Sequence, residues 1–166
     1  MTDAKHHGMR TRRVLDHEMR LDHPPARVFP LLCPTREYDW IEPWDCELLF
    51  SRSGYAELDC VFATAFPGDA SDTGGPEVWV CSRHEPDARI EFVRVGAHRA
   101  MRYEITLAPE GDGTRLRWRQ VVTALDAEGD REVAALDETA YAGKMRMLES
   151  MLAHYLDTGE CLRTGG

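Results

Sequence analysis

The sequence lacks any run of about 20 apolar residues, the length that a transmembrane helix requires. Its first residues, Met1 to Gly8, also lack the apolar core of a secretory signal peptide. It has no excess of basic residues either, since its formal net charge is −9. Such a charge disfavours binding to phosphate backbones and to anionic lipid surfaces. We therefore expect a cytoplasmic protein that binds neither nucleic acid nor membranes.

Motifs that would identify a reaction are also missing. The sequence has no HExxH or CxxC pattern for zinc, no GxSxG nucleophile motif and no phosphate-binding glycine loop. Its five cysteines are an odd and widely spaced set, which favours free thiols over a disulfide framework. We therefore expect no metal site and no cofactor, so any chemistry must come from side chains that the fold brings together.

Alternation of apolar and polar residues predicts about seven strands, because successive side chains of a strand point to opposite faces. The predicted strands span residues 13–23, 45–52, 57–66, 77–84, 88–95, 100–108 and 114–125. Short turns between most of them favour antiparallel pairing, and residues 67–76, rich in Gly, Asp and Ser, predict a loop. Pro24-Pro25 ends the first strand, and short helices are predicted at residues 26–29 and from Pro34 to Trp40.

The final segment changes from strand to helix periodicity. From Asp130 to about Tyr155, apolar residues recur at helical spacing, which predicts one helix of roughly seven turns. Asp130 is the predicted N-cap, and Gly159 lies just beyond the expected end of the helix. This helix is the only long amphipathic element, so it must cover the apolar face of the sheet.

These elements predict an α+β protein with interior space. The expected fold is a curved antiparallel sheet of about seven strands wrapped around the long C-terminal helix, with two short helices after the first strand. A helix is about 10 Å wide. Seven strands at roughly 4.8 Å each are nearly three times as wide. The remaining space is either plugged by large side chains or left as a cavity.

The order of elements carries a family resemblance. Together with Pro24-Pro25-Ala26-Arg27-Val28-Phe29 after the first strand and Gly113-Thr114-Arg115-Leu116-Arg117-Trp118 in the last, it resembles the START-like, or Bet v 1-like, superfamily (SRPBCC). That superfamily has the helix-grip fold and includes polyketide cyclase/dehydratase-like proteins. The run from Phe29 to Ile41 looks like that of bacterial members to which no function is assigned.

The resemblance covers about residues 13–157, which would form the ligand-binding domain. Residues 1–12 are then a flexible N-terminal segment, and residues 158–166 are a C-terminal tail. The resemblance implies an internal cavity for lipids, polyketides, hormones or other apolar molecules. Because the superfamily has no shared catalytic residues, it assigns none to this chain.

Side chains predicted to face the interior define the candidate ligand site. An apolar pocket needs a few polar groups to orient its ligand, and a buried polar group without a partner costs free energy. The candidate ligand-binding residues are Trp40, Trp44, Phe62, Thr64, Trp79, Phe92, Arg94, Tyr103, Trp118, Gln120, Tyr141 and Met145. Two alternatives stay open: the tryptophans form core rather than lining, and the polar residues pair with one another or are moved outside by a bulge.

Three functions follow from this reading. The first is binding of a small hydrophobic or amphipathic molecule in the cavity. The second is a cyclase or dehydratase-type lyase acting on an aromatic or polyketide-like substrate. The third, implied by the Hsp90-activator branch of the superfamily, is an interaction protein with Trp40 and Trp44 in an exposed patch. The sequence leaves open whether the chain acts as a monomer or a homodimer.

The enzyme hypothesis needs a general base and an oxyanion donor close to the reacting atoms. His17 is one candidate base, because it shares the inward face of its strand and histidine titrates near neutrality. Glu77 is the other candidate base. The candidate donors are Arg94, Tyr103 and Gln120.

Overall fold

The computed structural model describes residues 8–64 and 75–163. The strands are β1 (Arg12–Leu21), β2 (Glu47–Phe50), β3 (Val61–Thr64), β4 (Glu77–Glu85), β5 (Arg89–Val95), β6 (Arg99–Glu110) and β7 (Gly113–Ala124). The helices are α1 (Pro25–Val28), α2 (Pro34–Glu37), α3 (Ala127–Ala134) and α4 (Glu138–Thr158), with a 3₁₀ helix (Phe29–Leu32) between α1 and α2. The strands form one antiparallel sheet in the order β1-β7-β6-β5-β4-β3-β2.

The predicted fold class is confirmed. Each predicted strand overlaps an observed one, and burial alternates along the strands as the sequence pattern requires. The predicted loop and the end of the predicted third strand lie mainly in residues 65–74, outside the described residues. Residues 1–7 and 164–166, which belong to the two predicted terminal segments, also lie outside the described residues.

The prediction of one unbroken helix from Asp130 is wrong. The structure has two helices, each with its own aspartate N-cap: Asp126 accepts from the Gly129 N–H at 2.8 Å, and Asp137 accepts from the Thr139 N–H at 3.0 Å. Asp130 lies inside α3, where its carboxylate accepts the Thr11 backbone N–H at 2.9 Å. The periodicity continues across the break because both helices contribute buried apolar residues.

Helix α3 lies unusually close to the β5–β6 turn. A Cβ atom on Gly129 would stand 1.9 Å from the carbonyl oxygen of His98, so a larger residue cannot be accommodated there without movement of the backbone. The His98 ring reaches back to α3 and bonds the N-cap Asp126 at 2.8 Å. These contacts fix the start of the helical region against the sheet.

Helix α4 lies on the inner face of the sheet and ends at Thr158, so that Gly159 lies just beyond its end, as predicted. Gly159 has a φ of 75°, the left-handed conformation that favours glycine. The Glu149 carboxylate accepts the backbone N–H of Arg20 at 3.0 Å, which ties the helix to β1 at the edge of the sheet. Within the described residues no helix has the length and apolarity needed to cross a lipid bilayer. The buried residues of α4 are Met145, Met151, Leu152 and Leu156.

Replacement of Leu152 by alanine should lower the free energy of unfolding by about 2–5 kcal/mol, because Leu152 is fully buried between helix and sheet. Met147→Ala is the control, since Met147 lies on the same helix but is exposed. We expect a change of less than about 0.5 kcal/mol for the control. Urea denaturation measures both. Equal losses for the two variants would contradict the placement of α4.

Candidate functional site

A cavity of about 50 Å³ lies between the inner face of the sheet and the elements that cover it. The covering wall comes from the 3₁₀ helix, α2, the segment from Trp40 to Trp44, and Leu148 of α4. The sheet contributes Phe62, Trp79, Phe92, Arg94, Tyr103, Ile105 and Trp118. The cavity is therefore located where the helix-grip geometry predicts interior space.

Large aromatic rings fill most of that interior. Phe62 stacks on Trp79 with ring centroids 5.0 Å apart, and Phe92 meets Phe62 edge to face at 5.6 Å. Tyr103 meets Trp79 and Trp118 edge to face at 5.9 and 5.7 Å. These spacings are normal for favourable aromatic pairs. The cavity is small because the chain's own rings occupy the space that the narrow helix leaves.

Arg94 is buried in this aromatic cluster and is held by Glu77. The Arg94 Nε donates to Glu77 Oε2 at 2.7 Å, and its Nη2 donates to the same oxygen. The guanidinium carbon lies 3.9 Å from the centroid of the Trp79 ring, a cation–π distance. Arg99 adds a second cation, 4.0 Å from Glu77 Oε1. The Glu77 carboxylate is thus a counter-ion shared by two arginines.

The neighbours of Arg94 follow from strand register. Trp79 pairs with Phe62 on β3 and with Arg94 on β5, while Arg94 pairs with Met101 on β6. Because directly opposite residues on one face of a sheet are in contact distance, the register alone places the guanidinium over the indole. The Trp79 N–H donates to Thr64 Oγ1 at 3.0 Å, so Thr64 supports the ring from β3.

Indole hydrogen bonds also anchor the covering wall. Trp40 Nε1 donates to the Leu31 carbonyl at 2.8 Å, and Trp44 Nε1 donates to the Pro34 carbonyl at 2.8 Å. Trp40 is fully buried and Trp44 is half-buried. The exposed Trp40/Trp44 patch that the interaction-protein alternative requires is not formed, because Trp40 is buried and only part of Trp44 reaches the surface.

The structure brings most predicted ligand-site residues to one place. Eight of them line the cavity: Trp40, Trp44, Phe62, Trp79, Phe92, Arg94, Tyr103 and Trp118. The described lining does not include Thr64, Gln120, Tyr141 or Met145. Thr64 instead supports Trp79, and Gln120 lies beside Tyr103 in the register of β6 and β7.

The candidate catalytic residues do not converge on the cavity. Of His17, Glu77 and Arg94, only Arg94 belongs to its described lining, and Arg94 is bonded to Glu77. His17 lies on β1 opposite Trp118, with Glu149 and Arg146 of α4 as its charged neighbours. Neither candidate base therefore belongs to the described lining of the cavity, and Glu77 is already bonded to the candidate donor Arg94.

Sequence reasoning missed part of the site. Ile105 and Leu148 line the cavity, and the sequence pattern could have identified both. Ile105 lies on the same face of its strand as Tyr103, and Leu148 lies on the apolar stripe of the helix. Ile41 and Pro43 also line the cavity. They lie in a segment without helix or strand, where no repeating sequence pattern indicates which side chains face inward. A separate outer cleft of about 270 Å³ beside Phe29 was not predicted either.

Two histidines outside the cavity lining have pKa values displaced in opposite directions. Burial lowers the pKa of His17, with Glu149 opposing and Arg146 assisting the shift. The hydrogen bond to Asp126 raises the pKa of His98. His17 is therefore a neutral ring near pH 7, whereas protonation of His98 strengthens its contact with the α3 N-cap.

Comparisons with known proteins agree on the fold. No protein-family model matches the sequence, and no curated protein matches it. Norcoclaurine synthase from Thalictrum flavum, solved as a point mutant with a transition-state analogue, is 11% identical, with 92% of this chain and 99% of that chain covered and a TM-score of 0.68. Ara h 8.0201 is 11% identical, with 89% and 99% covered and a TM-score of 0.62.

A third similar structure is DynU16, a protein of the dynemicin biosynthetic locus. It is 19% identical, with 89% of this chain but 48% of that chain covered, and its TM-score is 0.59. The chain therefore has the Bet v 1-like, helix-grip fold that its sequence pattern resembles. Identities this low show the fold, and the site has to be interpreted from its own residues.

Replacement of Glu77 by glutamine should lower the free energy of unfolding by about 3–5 kcal/mol, because it leaves a buried guanidinium without its counter-charge. Asp16→Asn is a matched control, since Asp16 also bridges two arginines, Arg117 and Arg119, but on the exposed outer face. We expect at most about 1 kcal/mol there. Chemical denaturation at pH 7 measures both, and a larger loss for Asp16→Asn would contradict the analysis.

NMR titration should place the pKa of His17 below 6.5 and that of His98 above 6.5. His98 then stabilises the fold below pH 6.5, and this contribution disappears as pH rises through its folded pKa. His17 acts oppositely: its contribution is present above pH 6.5 and is lost as pH falls through its folded pKa. Asp126→Asn should return His98 toward 6.5 and leave His17 unchanged. The reverse order of the two pKa values would refute the assignment.

Proposed function

We propose that the unit spanning residues 13–157 binds a small, largely apolar aromatic molecule in the cavity between the sheet and α4. The observation that supports this most is the lining itself, which consists mainly of aromatic and aliphatic side chains converging from five strands, α2 and α4. Apolar walls with few polar groups are typical of small-molecule sites. The cation of Arg94 does not change that character, because Glu77 neutralises it.

The size of the cavity sets a condition on this function. At about 50 Å³ it has room for a few water molecules, whereas ligand sites usually measure roughly 300–1,000 Å³. A guest must therefore displace side chains when it enters. Aromatic rings that pack mainly on one another can be replaced by a bound ring with little loss of contact area.

The covering wall is where the cavity opens most readily. Trp44 is half-buried there, beside Ile41 and Pro43, in a segment without regular secondary structure. Its indole N–H donates to the Pro34 carbonyl. A swing of this indole would expose the inner rings, while the sheet stays in place.

The similar structures are consistent with a guest at this location. Norcoclaurine synthase was solved with a bound transition-state analogue, and DynU16 comes from a biosynthetic locus. Both facts concern those proteins, and the first supports the proposal because a protein of similar fold was solved with a bound small molecule. For this chain, binding is favoured over a cyclase reaction, because neither candidate base is part of the cavity lining and Glu77 is already bonded to Arg94.

The neutral apolar dye N-phenyl-1-naphthylamine should gain fluorescence on addition of the protein, and small aromatic molecules should displace it. Phe92→Ala should tighten dye binding by about tenfold, or roughly 1.4 kcal/mol, because the guest no longer has to displace that ring. A buried apolar cavity of about 150 Å³ suffices to bind benzene.

Phe50→Ala is the matched control for this measurement, since the Phe50 ring is exposed on β2 and lies outside the cavity lining. Its dye affinity should equal that of the parent protein. Circular dichroism checks that the parent and Phe92→Ala are folded. If neither folded protein raises the fluorescence of the dye, the binding hypothesis is wrong.

A further inference from the structure

Two buried cysteines lie opposite each other at β3 and β4. Val61, the first residue of β3, pairs with Val80 of β4. One step further along the same register, Cys60 lies opposite Cys81, and the Cys81 N–H donates to the Cys60 carbonyl at 3.0 Å. Both side chains are fully buried in the main hydrophobic core, and both cysteines are free thiols. The fold thus brings together two thiols that lie 21 positions apart in the sequence.

The backbone at this position has the spacing that a disulfide needs. The Asp59 N–H donates to the Cys81 carbonyl at 2.9 Å, so Asp59 and Cys60 together oppose one residue of β4 in a β-bulge. Hydrogen-bonded residues that oppose each other in antiparallel strands have Cα atoms about 5.5 Å apart. Disulfides bridge Cα–Cα distances of roughly 4.4–6.8 Å. A bond between the two sulfurs therefore lies within reach of this backbone.

The other three cysteines have different partners. The Cys33 sulfur accepts the Ala56 N–H at 3.1 Å, and the Cys46 thiol donates to the Pro34 carbonyl at 3.7 Å. Cys161 lies beyond the end of α4. Within the part of the chain that the structure describes, strand register places only one pair of thiols opposite each other.

The two opposed thiols differ in acidity. A hydrogen bond with the Cys81 side chain lowers the pKa of Cys60, while burial opposes the shift. The same interaction raises the pKa of Cys81, and burial adds to that effect. Because the thiolate is the reactive form of cysteine, Cys60 is the sulfur that attacks an oxidant and Cys81 is the sulfur that reacts second.

A small oxidant can reach the pair at the edge of the sheet. β2 and β3 have only four residues each and come last in the strand order. Residues 51–60, which join them, contain no helix or strand, and Tyr55 and Leu58 are 55% and 57% exposed there. Such a region opens locally at a smaller free-energy cost than global unfolding. Local opening admits a molecule as small as hydrogen peroxide.

We propose that Cys60 and Cys81 form a redox-active dithiol, which a peroxide converts into a reversible disulfide between the start of β3 and β4. This modification site is separate from the cavity lining, which includes neither cysteine among the described residues. The proposal therefore does not depend on the proposed binding function.

The reaction takes two steps and moves two electrons from the thiols to the peroxide. The Cys60 thiolate attacks one oxygen of hydrogen peroxide, the O–O bond breaks, and the leaving hydroxide takes up a proton to become water. Cys60 is then a sulfenic acid. The Cys81 sulfur attacks the Cys60 sulfur, the S–O bond breaks as the S–S bond forms, and the oxygen leaves as water with the proton of the Cys81 thiol. A thiol reductant reverses the reaction by exchange.

Peptide mapping tests the proposal on the full, folded chain. The reduced protein is treated with hydrogen peroxide at pH 7, denatured, and alkylated with iodoacetamide at its remaining thiols. The main cross-linked product should join Cys60 to Cys81 and should disappear after treatment with dithiothreitol. Cys46→Ser is the matched control and should give the same product in equal yield. If Cys60 and Cys81 are recovered as alkylated thiols, or if they cross-link only in urea, the proposal is wrong.

Two serine variants test the order of attack. Cys81→Ser keeps a hydroxyl that can donate to Cys60 but cannot form a disulfide, so the cross-link is lost and the sulfenic acid should persist. Dimedone, which reacts with sulfenic acids, should then label Cys60. Cys60→Ser should also lose the cross-link, but dimedone should leave Cys81 unlabelled. Labelling of Cys81 and not of Cys60 would overturn the assignment of Cys60 as the attacking sulfur.

Discussion

The mismatch in width between one helix and a seven-stranded sheet governs the interior of this protein. The helix covers only part of the inner face, so the remaining area must be covered by large side chains or left open. The chain uses both solutions: a cluster of aromatic rings fills most of the gap, and a small cavity remains beside it. The short helices and the tryptophans after them then seal the open end.

A buried arginine in such a cluster needs two kinds of support. Glu77 provides a counter-charge, since an isolated buried cation would be prohibitively expensive. The face of Trp79 provides a polarisable surface for the flat guanidinium. With both in place, the arginine behaves as part of the wall, and the polar selectivity of the cavity depends on weaker, uncharged groups.

Much of this arrangement could be predicted from the sequence, because strand periodicity shows directly which side chains face inward. Arg94, Gln120 and Trp118 were assigned to the interior in this way, and all three are buried. Periodicity does not show how far along the sheet a residue lies. His17 therefore shares the predicted face with the cavity residues, yet the register places it at the β1 edge.

Two further features could not be predicted from the sequence, for different physical reasons. The break between α3 and α4 depends on competition among three nearby aspartates for the capping role, and the close approach of Gly129 to His98 settles it through tertiary contact. The volume of the cavity depends on how the rings pack, which composition does not determine. Sequence thus predicts where the interior lies, while packing decides its size.

The carboxylates of Glu149 and Asp130, which bond backbone N–H groups in and next to β1, also affect the exposed edge of the sheet. β1 is ten residues long and forms one border of the sheet, where unpaired backbone groups could recruit another chain. The Glu149 carboxylate accepts the backbone N–H of Arg20 near the C-terminal end of β1. The Asp130 carboxylate accepts the backbone N–H of Thr11, just before the N-terminal end of β1. An incoming strand would have to displace both acids, so the two helices also protect the protein against edge-to-edge aggregation.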